Sequence, residues 1–271
     1  MTIAMLSIPG VDGLAKYLSV DYSSLFLSWA RYAVASLVVL PFAAALHGRR
    51  LFPAERRGWH LLRTVFLVTS MTLYFLAVAR VPLATAASTY FVGPIIAVVL
   101  AIVLLNERLT LRKGLSLILG FAGSLVILRP GGAMEQGILL ALGSGIAFAC
   151  YMIATRQAAQ ESDPLQTLLF QCVVGTSLLT PQAMMTWSAP AGEDLAFFAA
   201  LGVLSAASHI LSIVAFRWAD ASTLAPLVYL ELIGATVIGY LVFAELPGAS
   251  TVIGGSLIIA AGLILLQRRS L

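Results

Sequence analysis

Ala79-Arg80-Val81-Pro82-Leu83-Ala84-Thr85 is echoed by Phe216-Arg217-Trp218-Ala219-Asp220-Ala221-Ser222, and Leu104-Leu105-Asn106-Glu107-Arg108-Leu109 by Val242-Phe243-Ala244-Glu245-Leu246-Pro247. Each segment then closes on an apolar helix, Ser116-Leu117-Ile118-Leu119 through Gly123 in one and Ser256-Leu257-Ile258-Ile259 through Gly262 in the other. Ala79 and Phe216, Glu107 and Glu245, and Gly123 and Gly262 are 137, 138 and 139 residues apart. Any two Leu/Ala-rich helices can look alike, but three landmarks in one order at nearly one offset define an internal repeat of half the chain.

What fills the repeat decides the class. Of 271 residues, 60% are hydrophobic and 10% charged, and mean hydropathy is +0.98. A soluble domain averages about 45–50% apolar and about 25% charged, so this composition excludes an ordinary soluble enzyme, a disordered regulator and a coiled coil. The pI of 9.3 does not imply a nucleic-acid partner, because the basic residues sit in short runs between apolar stretches. Those stretches are continuous over about 20 residues, where a β-barrel strand would alternate over about 10. The sequence therefore describes an all-α polytopic membrane protein whose surroundings are the lipid bilayer. Cys150 and Cys172 lie inside apolar stretches and read as small buried side chains. No basic residue precedes the first apolar stretch, so no secretory signal is expected there.

Polar and Gly/Pro punctuation divides the chain into ten expected spans, at about 1–18, 22–46, 59–79, 83–105, 114–128, 137–156, 165–187, 195–216, 223–244 and 251–266. The first, fifth and tenth are short. One alternating set of connections holds Arg49, Arg50, Arg56, Arg57, Arg108, Arg112, Lys113, Arg156, Arg217, Arg268 and Arg269. The other holds Lys16, Arg80 and Arg129. The positive-inside rule assigns the first set and both termini to the cytoplasm of a bacterial-type inner membrane. Five spans per repeat is an odd number, so the second half, 137–271, enters the membrane opposite to the first, 1–130. The charges agree, since Arg108, Arg112 and Lys113 flank Glu107 whereas the connection holding Glu245 has no Lys or Arg. Inverted repeats around a midplane site are the usual build of secondary transporters, and here they would be two five-helix repeats around a central cavity.

Arg80-Val81-Pro82-Leu83, Gly93-Pro94 and Leu105-Asn106-Glu107-Arg108-Leu109 resemble the EamA repeat of the drug/metabolite transporter superfamily, as do Arg217 to Ser222, Tyr229-Leu230-Glu231-Leu232 and Ala244-Glu245-Leu246-Pro247. The resemblance covers nearly the whole chain. It implies ten helices as five plus five, a cavity lined by spans one, three, four, six, eight and nine, and kinship with amino-acid and metabolite exporters. Three positions depart from the pattern. Asn106 and Ala244 stand where a Gly before the Glu is usual, and Leu232 stands where the repeat predicts the counterpart of Pro94.

An ionisable side chain at membrane depth costs about 2.5–3.5 kcal/mol on insertion scales and is a functional candidate by default. Asp12, Arg31, His209 and Glu231 are such residues. Asp12 can be neutralised by Lys16 one turn on, and Arg31 reads as a partner for a carboxylate such as Asp12, tying spans one and two together. Glu231 lies about 12 Å and His209 about 10 Å from the same side at 1.5 Å per residue, so the two can meet. His209 belongs to a polar stripe with Ser205 and Ser212. Span six carries Ser144, Phe148, Tyr151 and Thr155 on one face, span three presents Met71, Tyr74 and Phe75, and span four presents Tyr90 beside Gly93-Pro94. Pro94 removes a helical hydrogen bond and can free a carbonyl for the cavity. Of Tyr229 and Glu231, two apart on one helix, Glu231 is expected to face inward.

The expected solute-binding set is therefore Asp12, Met71, Tyr74, Phe75, Tyr90, Gly93, Ser144, Phe148, Tyr151, Ser205, His209 and Glu231. No phosphate loop, H-E-x-x-H or G-x-S-x-G motif occurs, so neither ATP hydrolysis, metalloprotease chemistry nor serine hydrolysis is expected, and no cofactor or metal is implied. The expected function is secondary export of small organic metabolites, by resemblance amino acids. The competing readings are a broad exporter of lipophilic cations anchored on Glu231, and an intramembrane enzyme.

Overall fold

A computed structural model describes residues 1–128, 136–160, 162–244 and 249–266. Arg129, Glu245, Arg268 and Arg269, which entered the repeat and charge arguments, lie outside the described residues. The described chain is all helical: α1 (Thr2–Leu18), α2 (Ser24–His47), α3 (Arg57–Val78), α4 (Leu83–Tyr90), α5 (Gly93–Leu105), α6 (Leu111–Leu128), α7 (Gln136–Ala159), α8 (Pro164–Met185), α9 (Leu195–Trp218), α10 (Ala221–Leu224), a 3-10 turn (Ala225–Tyr229), α11 (Leu230–Phe243) and α12 (Ala249–Leu266). Among the described residues, six segments are long and apolar enough to cross a membrane on their own: α2, α3, α7, α8, α9 and the unit Ala221–Phe243. Side chains such as Leu37, Phe42, Leu46, Val103, Leu241 and Val242 are exposed on the outside of the bundle, an apolar surface that lipid accounts for.

Local chemistry sets the helix ends. Ser23 accepts from the Leu25 N–H at the start of α2. Asp163 accepts from the N–H groups of Leu165 and Gln166, with Pro164 in the first turn of α8. Helices α5 and α11 both stop on a residue in the left-handed region, Asn106 (φ 53°) and Ala244 (φ 53°). That shared geometry explains why a Gly is the usual residue there: only Gly adopts it without steric cost.

The expected spans four and nine are each interrupted. Pro94 has no N–H to offer the Tyr90 carbonyl, and the chain breaks between α4 and α5 at Phe91-Val92. In the second half, where Leu232 replaces that proline, Pro226 opens the 3-10 turn and supplies the break. The freed Tyr90 carbonyl does not face a cavity as the sequence implied. It abuts the backbone of Gly145 on α7, where a Cβ would collide with it, and a Cβ on Gly93 would in turn meet the Gly145 carbonyl. Three backbones thus approach through two glycines.

Polar links gather at two ends of the bundle. At one, His47 meets Asp163 at 3.3 Å, Gln166 donates to the Arg50 carbonyl at 2.6 Å, and Arg156 and Lys113 reach Asp220 at 3.3 and 3.4 Å. Here Glu107 accepts from the backbone N–H groups of Ala221 (3.1 Å) and Ser222 (2.9 Å), so a side chain of the first repeat caps a helix of the second. At the other end Tyr22 donates to Asp194 (2.7 Å) and accepts from the Ala191 N–H (2.9 Å). Between the ends, α3 and α7 are joined by reciprocal bonds, Ser70 Oγ to the Ser144 carbonyl (3.0 Å) and Ser144 Oγ to the Ser70 carbonyl (2.8 Å). Cys172 is buried and Cys150 half-buried, both as free thiols.

Candidate functional site

Helices α1, α2, α3, α4, α7, α9 and α11 line a small cavity of about 20 Å3. Asp12 and Ile8 come from α1, Arg31 from α2, Met71 and Tyr74 from α3, and Tyr90 from the last turn of α4. Phe148 of α7, His209 of α9 and Glu231 from the first turn of α11 complete the wall. All but Ile8 are buried. Close helix contacts bring these residues together: a Cβ on Gly234 would strike Pro9, and one on Gly202 would strike Val34, so glycines let α11 and α9 approach α1 and α2.

Arg31 organises the charge. Its Nε donates to Ser205 Oγ at 2.5 Å, and its Nη2 lies 2.6 Å from His209 Nε2. A guanidinium N–H can only donate, so His209 Nε2 is the acceptor and the imidazole is the neutral tautomer with its proton on Nδ1. The guanidinium carbon also sits 5.7 Å from the ring centroids of both Tyr32 and Phe75. Its Nη1 is buried without a hydrogen-bond partner, and so is Glu231 Oε1. Asp12 and Glu231 line the same cavity as Arg31. One buried cavity thus holds an unsatisfied guanidinium donor, an unsatisfied carboxylate oxygen and a second carboxylate.

The remaining wall is aromatic. Tyr74 and Tyr90 pack with centroids 5.3 Å apart, Tyr90 and Phe148 at 5.0 Å, and Phe148 and Tyr151 at 5.5 Å. Such faces attract a cationic group. Tyr229 points away: its hydroxyl donates to the Phe91 carbonyl at 3.4 Å and its ring packs on Phe91. Phe91 and Tyr229 are 138 residues apart, so equivalent positions of the two repeats touch each other.

Seven of the twelve expected residues, Asp12, Met71, Tyr74, Tyr90, Phe148, His209 and Glu231, line this one cavity. Five lie outside its wall. Phe75 supports the Arg31 guanidinium, Ser205 accepts from it, Ser144 bonds Ser70, Gly93 packs on Gly145, and Tyr151 accepts from Arg63. Two pairings also differ from expectation. Arg31 bonds α9 rather than Asp12, and His209 is the partner of Arg31 rather than of Glu231, because the Ser205–His209 stripe presents two acceptors one turn apart to a single guanidinium. Arg63 does not stand out in the sequence, since a basic residue four positions inside the third span reads as a side chain snorkelling to the interface. The signal lay in Thr155 and Gln171, polar residues near the same ends of neighbouring spans. Among the described residues, no group of three His, Cys, Asp or Glu side chains could hold a metal ion.

A helical membrane bundle around a charged, aromatic cavity fits a carrier of small molecules. The chain belongs to the EamA-like transporter family, whose model matches residues 2–129 and 135–267. It is 31% identical to an S-adenosylmethionine uptake transporter of Rickettsia prowazekii (strain Madrid E), over 94% of this chain and 87% of the relative. A riboflavin transporter of Vibrio cholerae is 25% identical over 96% and 89%, and the pseudopaline exporter CntI of Pseudomonas aeruginosa 25% identical over 74% and 72%. A crystal structure at 19% identity superposes with a TM-score of 0.79, covering 99% of this chain and 97% of that one, which establishes the likeness of fold. The protein is therefore an integral membrane transporter of small metabolites and not an enzyme.

Proposed function

We propose that the protein carries a small zwitterionic metabolite, an amino acid or a derivative that keeps the amino-acid head group, by alternating access between two inverted five-helix repeats, 1–130 and 137–271. The observation that carries the reading is the pair of unsatisfied groups in one cavity, Arg31 Nη1 and Glu231 Oε1. A buried polar group without a partner is costly, and a charged one more so. A solute carboxylate on Arg31 and a solute ammonium on Glu231 satisfy both at once. Asp12 adds a second carboxylate and the Tyr74, Tyr90 and Phe148 faces add cation–π attraction, so a further positive charge on the solute is favoured. S-adenosylmethionine, named for the Rickettsia relative, has that composition: an amino-acid head and a sulfonium cation.

The inverted arrangement is supported by the paired breaks in α4/α5 and α10/α11, and by the left-handed stops at Asn106 and Ala244. The end that gathers Arg49, Arg50, Arg56, Arg57, Arg156 and Lys113 is assigned to the cytoplasm with both termini. The direction of net flow follows the gradients across the membrane, and the relatives include both uptake and export systems. A carrier of lipophilic cations alone would have no use for Arg31. Counterflow in sealed liposomes tests the reading with labelled methionine, S-adenosylmethionine, riboflavin and a cationic dye. Exchange of a zwitterion, abolished when its carboxylate is amidated or its amine removed, is the expected result. Exchange of riboflavin or dye with no competition from any zwitterion overturns it.

A further inference from the structure

Arg63 is a second fully buried arginine, and the central cavity does not use it. From the second turn of α3 its Nε donates to Thr155 Oγ1 at 3.3 Å and its Nη1 to the Thr167 carbonyl at 3.3 Å. Its Nη2 donates to Tyr151 Oη at 3.4 Å and Gln171 Oε1 at 2.7 Å. All four acceptors are neutral and three of the bonds are long. No ion pair of Arg63 occurs among the described residues. The same two α8 residues that hold the guanidinium carry further buried polar atoms without partners, Gln171 Nε2 and Thr167 Oγ1. Both can donate. A permanent cation, an amide and a hydroxyl converge where the protein supplies no negative charge, which is the donor set of an oxyanion site.

Tyr151 joins this cluster to the cavity. Its hydroxyl is on Arg63, its ring stands edge-on to His209 at 6.4 Å, and His209 in turn accepts from Arg31. The Tyr151–His209 contact thus links the two guanidinium groups. Arg63 lies on the side of the α2–α3 and α7–α8 connections, where His60 of its own helix meets Ser162 at 2.9 Å.

We infer that Arg63, Gln171 and Thr167 form a second anion station, closed in this conformation, which takes the solute's carboxylate from Arg31 when the α3–α7–α8 wall opens toward that end of the bundle. The inference rests on the zwitterion reading for the identity of the solute, and the donor set defines the ligand class as a carboxylate.

Thermal unfolding of the purified full chain tests it without any transport measurement. Acetate is compared with acetamide at constant ionic strength, so that the carboxylate alone differs. Acetate should raise Tm in the wild type, and with two stations of comparable strength Arg63→Gln should remove about half of that rise. Gln171→Glu places a carboxylate of the protein beside Arg63. It should unfold at a higher temperature than the wild type without acetate, while showing the same reduced response to it. A merely structural arginine would leave the acetate response untouched in both variants. No acetate response in the wild type, or a full response in both variants, overturns the station. Loss of zwitterion counterflow by wild-type protein with the acetate pattern intact would instead sink the proposed function and leave the station standing.

Discussion

Glu231→Gln changes charge and almost nothing else. The side chain keeps its shape, the first turn of α11 keeps its sequence otherwise, and the amide retains one oxygen for whatever the carboxylate accepted. The magnitude follows from where the oxygens sit. Oε1 is buried without a partner beside Arg31 and Asp12. Two unit charges about 4 Å apart attract by about 4 kcal/mol at the effective dielectric that reproduces measured pairs. The amide dipole recovers part of this, and a charge-assisted hydrogen bond is worth about 1.5–3 kcal/mol net. A loss of about 2–3 kcal/mol corresponds to a fall in affinity of roughly 30- to 150-fold for a solute bearing an ammonium group. Equilibrium binding in detergent and the KM of counterflow both read it. The same solute without its amine is the control, because its weak binding should be insensitive to the change. A Kd shift of less than about threefold for the zwitterion, or an equal loss for the deaminated analogue, would refute the assignment of Glu231 as the ammonium partner.

Four further outcomes are expected. Ala244→Gly relieves a left-handed alanine that costs about 1–2 kcal/mol, less the entropy glycine adds to the unfolded chain, so Tm should rise by the equivalent of about 0.5–1 kcal/mol; Asn106→Gly should gain less, since Asn tolerates that region. Gly145→Ala forces a methyl against the Tyr90 carbonyl and should lower stability by at least about 1–3 kcal/mol in the same unfolding measurement. Glu107→Gln leaves one of the Ala221 and Ser222 N–H groups without its acceptor and removes the charge facing Arg156 at 3.9 Å, a loss of about 1–2 kcal/mol in thermal unfolding. Single cysteines at Arg112 and Ser250, in a chain with Cys150 and Cys172 replaced by Ala, should differ in labelling by an impermeant thiol reagent on whole cells; equal labelling would sink the inverted topology.

The helices were legible because lipid imposes a strong rule: a crossing segment must be apolar for about 20 residues and must bond its own backbone. Segment limits at 22–46, 59–79 and 195–216 fall within a few residues of α2, α3 and α9. The breaks inside spans four and nine were visible only in part. Pro94 marks the first, but in the second half the break is made by Pro226, six residues before the position the repeat nominates. A repeat preserves the need for a break at midplane; it does not preserve the residue that supplies it. Tertiary contacts decide where the freed carbonyls go, and no period in a sequence reports that Gly145 will sit beneath Tyr90.

The cavity was legible through the one cost that membranes make large, that of ionisable side chains. Asp12, His209 and Glu231 all stood out and all line it. What one sequence withholds is the pairing. Opposite charges invite the link of Arg31 to Asp12, yet a guanidinium has five donors in a fixed fork and takes whatever acceptors the packing presents. Here Ser205 and His209, one turn apart on α9, occupy Nε and Nη2 and leave Nη1 over. Had Arg31 closed on Asp12, the cavity would have lost its cation and kept only Glu231, and a simple cation carrier would have been the better reading. Because neutral side chains hold the guanidinium in place, its charge and both carboxyl groups stay available to a solute. On the proposed reading, the specificity of the site rests on two residues, Ser205 and His209, that carry no charge themselves. Replacing His209 by Leu should therefore free Arg31 to close on Asp12 and lower affinity for the zwitterion more than for the same solute with its carboxylate amidated. An equal loss for both would show that His209 contacts the solute directly rather than holding Arg31 open.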